Sequence, residues 1–514
     1  MSLVGALNIG RQALAAQQAA IQTTGNNISN AGNADYARQV TSLSATRDQR
    51  VQSGIFVGTG VQVDAIRRQV DDALEGRLRA ATSDSESAQV VQQQLGQVES
   101  VLNELGDGDL STKMSAFFGA WSNLANKPQD AGLRQVVVQN GQAVAGWLND
   151  ARGQLNDLQT TIDQRLPDLV NQADSLATQI AGLNETIATA EGGQGIANGL
   201  RDQRDAVVKQ LSALMDVKTV EQPNGVLNVY VGSEPLVMGT DNRGLTVVQT
   251  GTADAPVPEV RFKSNLGTVS LKTGQIGGLL AAREAVDSVA ADTDAVAGSL
   301  IYELNKVHAA GQGLAGFDAV KATNLVADPT AALNDEKAGL DHPSANGSFV
   351  VHVKDKSTGL VTSTLIKVDL DGVGGNDTSL NDLKTALDGV AGVNAAVDSA
   401  GQLSVSADSS AVELSFSQDS SGALASLGVN TFFSGKNATD IAVNQAVKDN
   451  PSLLAAAKNG QAGDNGTARL IAALETQPVA ALGGQSLTER YEGTANRVAS
   501  AAAAAKTDAE AAQG

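Results

Sequence analysis

The feature that most constrains the fold of this 514-residue chain is a set of large apolar residues near its amino terminus, repeated every seven positions. A repeat of this period keeps one apolar face on an α-helix, and such a face packs against another helix. Arg11 is the only charged residue between positions 1 and 34, so the ion pairs that support a solvated helix are missing. The pattern therefore predicts a helix that packs closely against neighbours. This apolar stripe consists of Leu3, Leu7, Leu14, Ile21 and Ile28.

The composition excludes several classes of protein. The chain carries 56 acidic and 36 basic residues, a formal charge of −20, whereas nucleic-acid phosphates are bound by Lys and Arg. It contains no cysteine, which excludes disulfides and thiolate metal sites. No apolar run reaches the about 20 residues of a membrane span. The first residues also lack the basic start of a cleaved signal peptide. Composition alone would suggest the cytoplasm.

Apolar residues at spacings of three and four predict long helices over residues 65–216. The first of them is predicted to open at Arg67 and to break at residues 106–109. A later helix is predicted to pass through Pro167, which could kink it, and to break at residues 192–195.

From Val217 to residue 275 the period changes to two, which predicts a small antiparallel β unit with a last strand at Thr268 to Leu271. Helical spacing returns over 276–312. A β-rich segment over 313–435, with one short helix, then interrupts it. The sequence thus predicts a mainly α, multidomain protein with β insertions: an N-terminal coiled-coil arm, a body of long helices, a small antiparallel β unit and an inserted β-rich outer domain.

The segment 198–205 concentrates charge on one helix. Arg201 and Asp205 stand four residues apart, the spacing of an ion pair along a helix. Two interpretations are open. The segment is a solvated helix face with local ion pairs, or it forms a network with Arg204 that pins two helices of one domain. Catalysis is not expected there.

One acidic loop has part of the spacing of a calcium site. Asp369, Asp371 and Asp377 fit positions 1, 3 and 9 of such a loop, but Val373 and Leu380 stand where oxygen ligands are needed. A turn between a strand and a helix explains the same residues, so we predict no metal and no cofactor. The histidines flank no carboxylate cluster and are expected to be packing or surface residues: His308, His342 and His352.

Four segments resemble bacterial flagellar axial proteins. Residues 26–30 and 36–39 are similar to the N-terminal signature of flagellar rod and hook proteins, although Asn33, Ala34 and Asp35 replace the Thr-Pro-Gly usual in that family. Residues 198–205 and 427–435 are similar to the hook-associated protein 1 family of the hook–filament junction. The residues that carry the resemblance are Asn27, Asn30, Tyr36, Leu200, Arg201, Asp202, Arg204, Asp205, Phe432 and Phe433.

The resemblance implies a structural subunit of the bacterial flagellum and not an enzyme. It implies export through the flagellar type III channel without a cleaved signal peptide, and residence outside the cell at the hook–filament junction. The implied partners are further copies of the chain in a ring or tube, the hook protein, the second hook–filament junction protein and an export chaperone bound by the C-terminal region. Nucleic-acid binding and membrane insertion are not implied.

The resemblance also implies a division of labour along the chain. The expected parts are a polymerisation arm at 1–45 and a helical body made of 46–216, 276–312 and 436–514. A small β unit at 217–275 and an outer domain at 313–435 complete the chain. Two alternatives stay open. The chain is another axial subunit, of the hook or distal rod, or it is a secreted adhesive or antigenic module whose activity lies in residues 345–434.

Chains of this family continue into a further apolar helix that would pair with the apolar stripe, whereas this chain ends at Gly514. Packing supplies most of the stability of a helix, so residues 1–40 are expected to be marginal or disordered in an isolated monomer. The arm is expected to pass unfolded through a narrow channel and to fold only against its neighbours.

Overall fold

The computed structural model describes residues 3–102, 108–192, 195–252, 255–461 and 463–511. It is mainly α with antiparallel β insertions, which confirms the predicted fold class. Within the described residues, no helix is long and apolar enough to cross a bilayer. The chain forms two compact units: unit 1 comprises Met1–Leu95, Gln159–Glu284 and Ala502–Gly514, and unit 2 comprises Gly96–Leu158 and Ala285–Ala501.

Unit 1 begins with a helix that packs on a β-hairpin. Helix α1 (Leu3–Ser29) is followed by β1 (Gln39–Ala45), which pairs antiparallel with β4 (Val61–Arg68). Between these strands, β2 (Gln49–Gln52) and β3 (Ile55–Val57) form a second, short hairpin. Helix α1 lies along β1 and β4. We refer to residues 3–68 as the N-terminal module.

Long helices follow the N-terminal module, as their apolar spacing predicts. They are α2 (Asp72–Leu102), α3 (Leu110–Asn126), α4 (Ala131–Glu191), α5 (Asn198–Leu214) and α6 (Gly274–Ala309). Helix α4 is 61 residues long and continues through Pro167. Parts of the predicted breaks, residues 106–107 and 193–194, lie outside the described residues.

The predicted β unit consists of two antiparallel sheets. One has the order β5-β6-β7-β8, and the other pairs β9 with β10. Their bounds are β5 (Val217–Glu221), β6 (Leu227–Val231), β7 (Glu234–Met238), β8 (Asp241–Asn242), β9 (Leu245–Thr252) and β10 (Ala255–Phe262).

Two predicted boundaries were wrong. The helix predicted to open at Arg67 begins at Asp72, because Arg67 and Arg68 still pair with β1 at the end of β4. The strand predicted at Thr268 to Leu271 is reduced to a single bridge between Thr268 and Arg261. In both places the pattern of residue types was compatible with either structure, and pairing with a distant strand decided it.

Unit 2 contains the predicted β-rich segment, built as two three-stranded sheets of order β13-β12-β16 and β11-β15-β14 around one apolar core. The predicted short helix is present, and the side chain of Ser379 caps it. The elements are β11 (Ala319–Lys321), β12 (Gly347–Asp355), β13 (Val361–Val368), α7 (Leu380–Asp388), β14 (Val393–Val397), β15 (Leu403–Ala407) and β16 (Val412–Ser417).

The chain then returns to short helices and one two-stranded ladder. Helix α6 holds this return segment, because the Asn305 side chain accepts the backbone N–H groups of Phe432 and Phe433 and donates to the carbonyl of Phe433. The elements are α8 (Ala423–Leu427), β17 (Phe433–Ser434), β18 (Ala442–Val443), α9 (Gln445–Asp449), α10 (Gly466–Ala473) and α11 (Leu487–Ala511).

Phe432 and Phe433 lie in the core of unit 2. Their rings are 4.8 Å apart in an edge-to-face arrangement, and both contact Phe117 of α3. Trp121 packs against Phe432 and against His308. Aromatic rings bury large areas and favour such tilted contacts, so this cluster anchors the return segment to the helices.

His308 is fully buried beside this cluster. Its Nδ1 lies 2.8 Å from the carbonyl oxygen of Asn430, and its Nε2 accepts the backbone N–H of Ala455 at 3.0 Å. A carbonyl only accepts and an N–H only donates, so the ring is neutral with its proton on Nδ1. Burial lowers the pKa of His308 to about 4.

We predict that His308 makes unit 2 acid-sensitive. Between pH 6.5 and about 4 the unfolded chain binds a proton that the folded chain excludes, so the free energy of unfolding falls as the pH falls through this window. The loss from this group is about 3 kcal/mol. Urea unfolding followed by tryptophan fluorescence at pH 7 and pH 4 measures it. The variant H308N retains all the carboxylates and should lose clearly less stability over the same interval. An equal loss in both proteins would contradict the prediction.

Candidate assembly surface

Helix α1 has two faces of different chemistry. The face towards β1 and β4 carries mostly small and polar side chains together with Ile9, and only Ala16 and Thr23 are buried. The backbones approach closely at Gly60, whose φ is +121° and where a Cβ atom would lie 2.6 Å from Oε1 of Gln12. This inward face therefore gives close contact but buries little apolar area. Its residues are Ile9, Gln12, Ala16, Thr23 and Asn27.

The opposite face of α1 carries the apolar stripe, and all five of its side chains are 62–81% exposed. Burying one such side chain contributes about 1.5–3 kcal/mol. A contiguous apolar surface of this kind is typical of a protein–protein contact. In the isolated chain the stripe therefore faces solvent, and the burial that would most stabilise α1 does not occur.

The C-terminal end of α1 is tied to β1 through Asn27. Its Oδ1 accepts the Tyr36 hydroxyl and the backbone N–H of Gln39, both at 2.9 Å, and its Nδ2 donates to the carbonyl of Gln39 at 2.8 Å. The turn between them forms without proline, because the Asn33 side chain accepts the N–H of Asp35. Asn30 donates back to the carbonyl of Asn26 within the same end of the helix. These bonds fix the path from the helix into the strand.

Arg68, the last residue of β4, joins the N-terminal module to α5. Its Nη1 donates to Asp202 at 2.9 Å and to Asp205 at 2.7 Å, and the side chains of Arg68 and Asp202 are only 11% and 9% exposed. Asn198, at the start of α5, donates its Nδ2 to the carbonyl of Ile66 in β4. The module is therefore anchored through ion pairs and hydrogen bonds at one end of its ladder.

Arg201 and Arg204 extend this network into the rest of unit 1. Arg201 makes a bidentate pair with Glu191 of α4 and a further pair with Glu221 of β5. Arg204 is fully buried and donates to the Asn184 side chain, the carbonyl of Gly225 and Glu221. Leu200, which precedes them on α5, is half-buried. One turn of α5 thus holds α4, the β5–β6 hairpin and β4.

This network decides between the two interpretations of the segment 198–205. It is a network that pins elements of one unit, and the local pair expected from helix spacing is replaced by longer-range partners. Arg201 binds Glu191 and Glu221, while Asp205 binds Arg68. A partly buried arginine is satisfied better by carboxylates from two different elements than by one exposed neighbour on its own helix.

The charges of the network shift several pKa values. The hydrogen bond from Arg201 lowers the pKa of Glu191, and the same bond raises the pKa of Arg201. Burial lowers the pKa of Arg68, but the carboxylates of Asp205 and Asp202 outweigh it, so its pKa is raised. Burial lowers the pKa of Arg204. Tyr36 of the N-terminal signature is affected by the same network: burial, and then the Asp202 carboxylate, raise its pKa.

Sequence reasoning missed Asn184, the polar centre of the network. It is fully buried in α4, accepts from the N–H of Leu227 and from Arg204, and donates to the carbonyls of Leu227 and Gly239. A signal was available: Asn184 stands four residues after Ile180 and three before Ile187, on the apolar side of the helix. A polar residue at such a position needs buried partners.

The acidic loop at Asp369 to Asp377 lies in unit 2, and one oxygen from each of its three carboxylates falls within 4.8 Å of the others. Each carboxylate accepts a hydrogen bond inside the loop. Asp371 accepts the N–H of Val373, Asp377 accepts the N–H of Gly372, and Asp369 accepts the Asn376 side chain. These bonds are those of a turn between β13 and α7, the interpretation that needs no cation. The other two histidines pack within unit 2, His342 on Tyr302 and His352 against two serines.

Comparison with known proteins identifies the relatives of this chain. Residues 95–321 match the model of the flagellar hook-associated protein FlgK helical domain. Flagellar hook-associated protein 1 of Bacillus subtilis is 34% identical over 226 residues, 43% of this chain and 44% of the relative. The Escherichia coli protein of the same name is 28% identical over 285 residues, 54% of this chain and 52% of the relative. The chain thus spans about half the length of the curated relatives it matches.

One solved structure has a similar fold. The flagellar hook junction protein FlgK from Burkholderia pseudomallei superposes with a TM-score of 0.55 at 18% identity, covering 85% of this chain and 97% of that one. The resemblance to flagellar hook-associated proteins that the sequence predicts is confirmed by these matches.

We predict that Arg68 contributes far more to the free energy of unfolding of unit 1 than its sequence neighbour Arg67. The variant R68A leaves Asp202 buried without its charge partner and should lower the free energy of unfolding of unit 1 by about 3 kcal/mol. R67A removes only an exposed pair with Asp64, whose two side chains are 66% and 47% exposed, and should cost less than about 0.5 kcal/mol. Denaturant unfolding of both variants measures the difference. Equal effects would contradict the anchoring role of Arg68.

Proposed function

We propose that the chain is a structural subunit of the bacterial flagellum that forms the hook–filament junction by self-assembly. It carries out no chemical step. The support is a match in sequence to hook-associated proteins over about half their length, a similar fold, and a surface suited to assembly.

The observation that carries the proposal is the distribution of exposed apolar side chains. Of the 27 large apolar side chains exposed in the described residues, 14 lie between Leu3 and Leu78. Soluble monomers rarely concentrate apolar surface in this way. The same region is anchored at one end to a rigid network, so it projects as a defined surface that further copies can cover.

In this proposal, residues 1–45 are the polymerisation arm, and the helical body comprises 46–216, 276–312 and 436–514. The small β unit, 217–275, and the outer domain, 313–435, are carried on this body. The arm gains its full stability only when the apolar stripe meets helices of neighbouring copies, since packing supplies most helical stability. Binding to the folded state then stabilises it by mass action.

The proposed partners are further copies of the chain, the hook protein, the second junction protein and, before export, a chaperone that binds the C-terminal region. The proposed location is outside the cell, reached without cleavage of a signal peptide. An adhesive role of the outer domain is the alternative from a different class. Deletion of residues 347–417, which span β12 to β16, separates the two roles and leaves Phe432 and Phe433 in the core. Motility that survives the deletion means that the outer domain is not needed for assembly, whereas lost assembly means that it is architectural.

We predict that polar replacement of the stripe abolishes assembly without unfolding the subunit. In L14Q/I21Q, two side chains that are 62% and 70% exposed change, so the melting temperature should stay unchanged while cells lose motility and export the subunit into the medium. The matched control is L360Q/L365Q, which changes two side chains of unit 2 that are 71% and 57% exposed. Cells carrying the control should swim. Swimming cells with intact flagella in the stripe variant would overturn the proposal.

We predict that α1 is marginally stable in the monomer. Only two of its side chains are buried, so its amides should exchange with solvent much faster than those of α5, which the ion-pair network holds. Hydrogen exchange of the monomer, analysed by peptide mass spectrometry, compares the two helices directly. Protection of α1 equal to that of α5 would show that it needs no partner.

A further inference from the structure

The short hairpin β2–β3 carries apolar side chains that the described residues of the chain leave uncovered. Val51, Ile55 and Phe56 are 63%, 52% and 62% exposed. Arg47 and Arg50 are exposed beside them. A two-stranded hairpin with bare apolar side chains is marginal by itself, so a covering partner would stabilise it.

A second uncovered apolar surface lies at the start of α2. Leu74 and Leu78 are one turn apart on the same helix face and are 62% and 46% exposed. Asp71 and Asp72 precede them, and Glu75 lies between them. The Asp71 carboxylate caps the helix by accepting the N–H groups of Ala73 and Leu74, which fixes this ridge at the helix start.

The two surfaces stand at opposite ends of the N-terminal module. The ladder between β1 and β4 runs from the pair Ala45–Val61, next to the hairpin, to the pair Gln39–Arg68, next to α2. Its seven residues at about 3.3 Å each separate the two ends by about 20 Å. The ladder pairs the strands along its whole length, with one bulge between Ser42 and Leu43, and so keeps the hairpin away from the ridge of its own chain.

We propose that the β2–β3 hairpin of one copy docks on the Leu74–Leu78 ridge of a second copy. This inference rests on the proposed self-assembly and names one interface of it. Because the two surfaces differ, the contact is heterologous and repeats head to tail, which generates a ring or a helical tube. The isologous contact of a closed dimer would instead pair each surface with itself.

Charge complementarity selects a second copy as the occupant. The first 70 residues carry six arginines against three aspartates, whereas the rest of the chain carries 30 basic and 53 acidic residues. Arg47 and Arg50 of the hairpin face Asp71, Asp72 and Glu75 in the docked pair. Asp48 of the hairpin and Arg77 of the ridge provide one further pair, in which the acidic residue lies on the hairpin and the basic residue on the ridge. Such complementarity gives register and specificity to the apolar contact.

Cross-linking in isolated flagella tests the interface, and the chain helps because it has no cysteine of its own. Cells export the full chain as F56C, as L78C or as F56C/L78C, and the flagella are treated with a short bismaleimide. Both positions are exposed, so the substitutions leave the fold intact. The double variant should give a ladder of covalent dimers, trimers and larger species, while each single variant should stay monomeric. The matched control F56C/L360C should give no ladder.

The possible outcomes separate this inference from the proposed function. A chain that is present in flagella but gives no ladder in the double variant overturns the interface and leaves the structural role standing. Dimers of F56C alone overturn it as well, because they show that hairpins meet each other. A chain that is exported yet absent from flagella overturns the proposed function, and the inference with it.

Discussion

The N-terminal module is held to the rest of its unit by charges and hydrogen bonds, with Arg68 between Asp202 and Asp205 at the centre. Partly buried ion pairs are costly unless each charge finds good partners, and here Asp202 and Asp205 of α5 supply them to Arg68. Removal of either partner would leave a buried charge unpaired, so the anchor favours this orientation of the module over others. An apolar seam of alanines and leucines would hold the module less specifically. The direction in which α1 presents its stripe therefore depends on this anchor.

The orientation of α1 also reflects which residues lie on each of its two faces. Its inward face meets the ladder through Ala16, Thr23 and Gln12, which allow close approach at Gly60 but bury little apolar surface. The large side chains are left on the outside. A helix that buried its leucines against its own chain would be stable alone, but it would expose no apolar surface to which a neighbouring copy could bind. The expected marginal stability of α1 in the monomer and the proposed association are thus two consequences of one distribution of residues.

Much of this could be predicted from the sequence, and the failures have physical causes. The stripe, the long helices and the strands β12 to β16 follow from local periodicity, and α3 begins at Leu110, directly after the predicted break. The partners of Arg68, Arg201 and Arg204 could not be predicted, because they lie 10 to 137 residues away along the chain. Arg67 and Arg68 were assigned to the wrong element for the same reason. Asn184 could have been suspected from its place on an apolar helix face, but its partners could not.

The apolar stripe of α1 is exposed in one chain, and we propose that other copies bury it in the assembly. Electron cryomicroscopy of flagella containing this chain can show whether they do. We expect Leu7, Leu14 and Ile21 to be covered by helices of neighbouring copies. Density that places α1 on the outside of the assembly, with these side chains facing solvent, would contradict it.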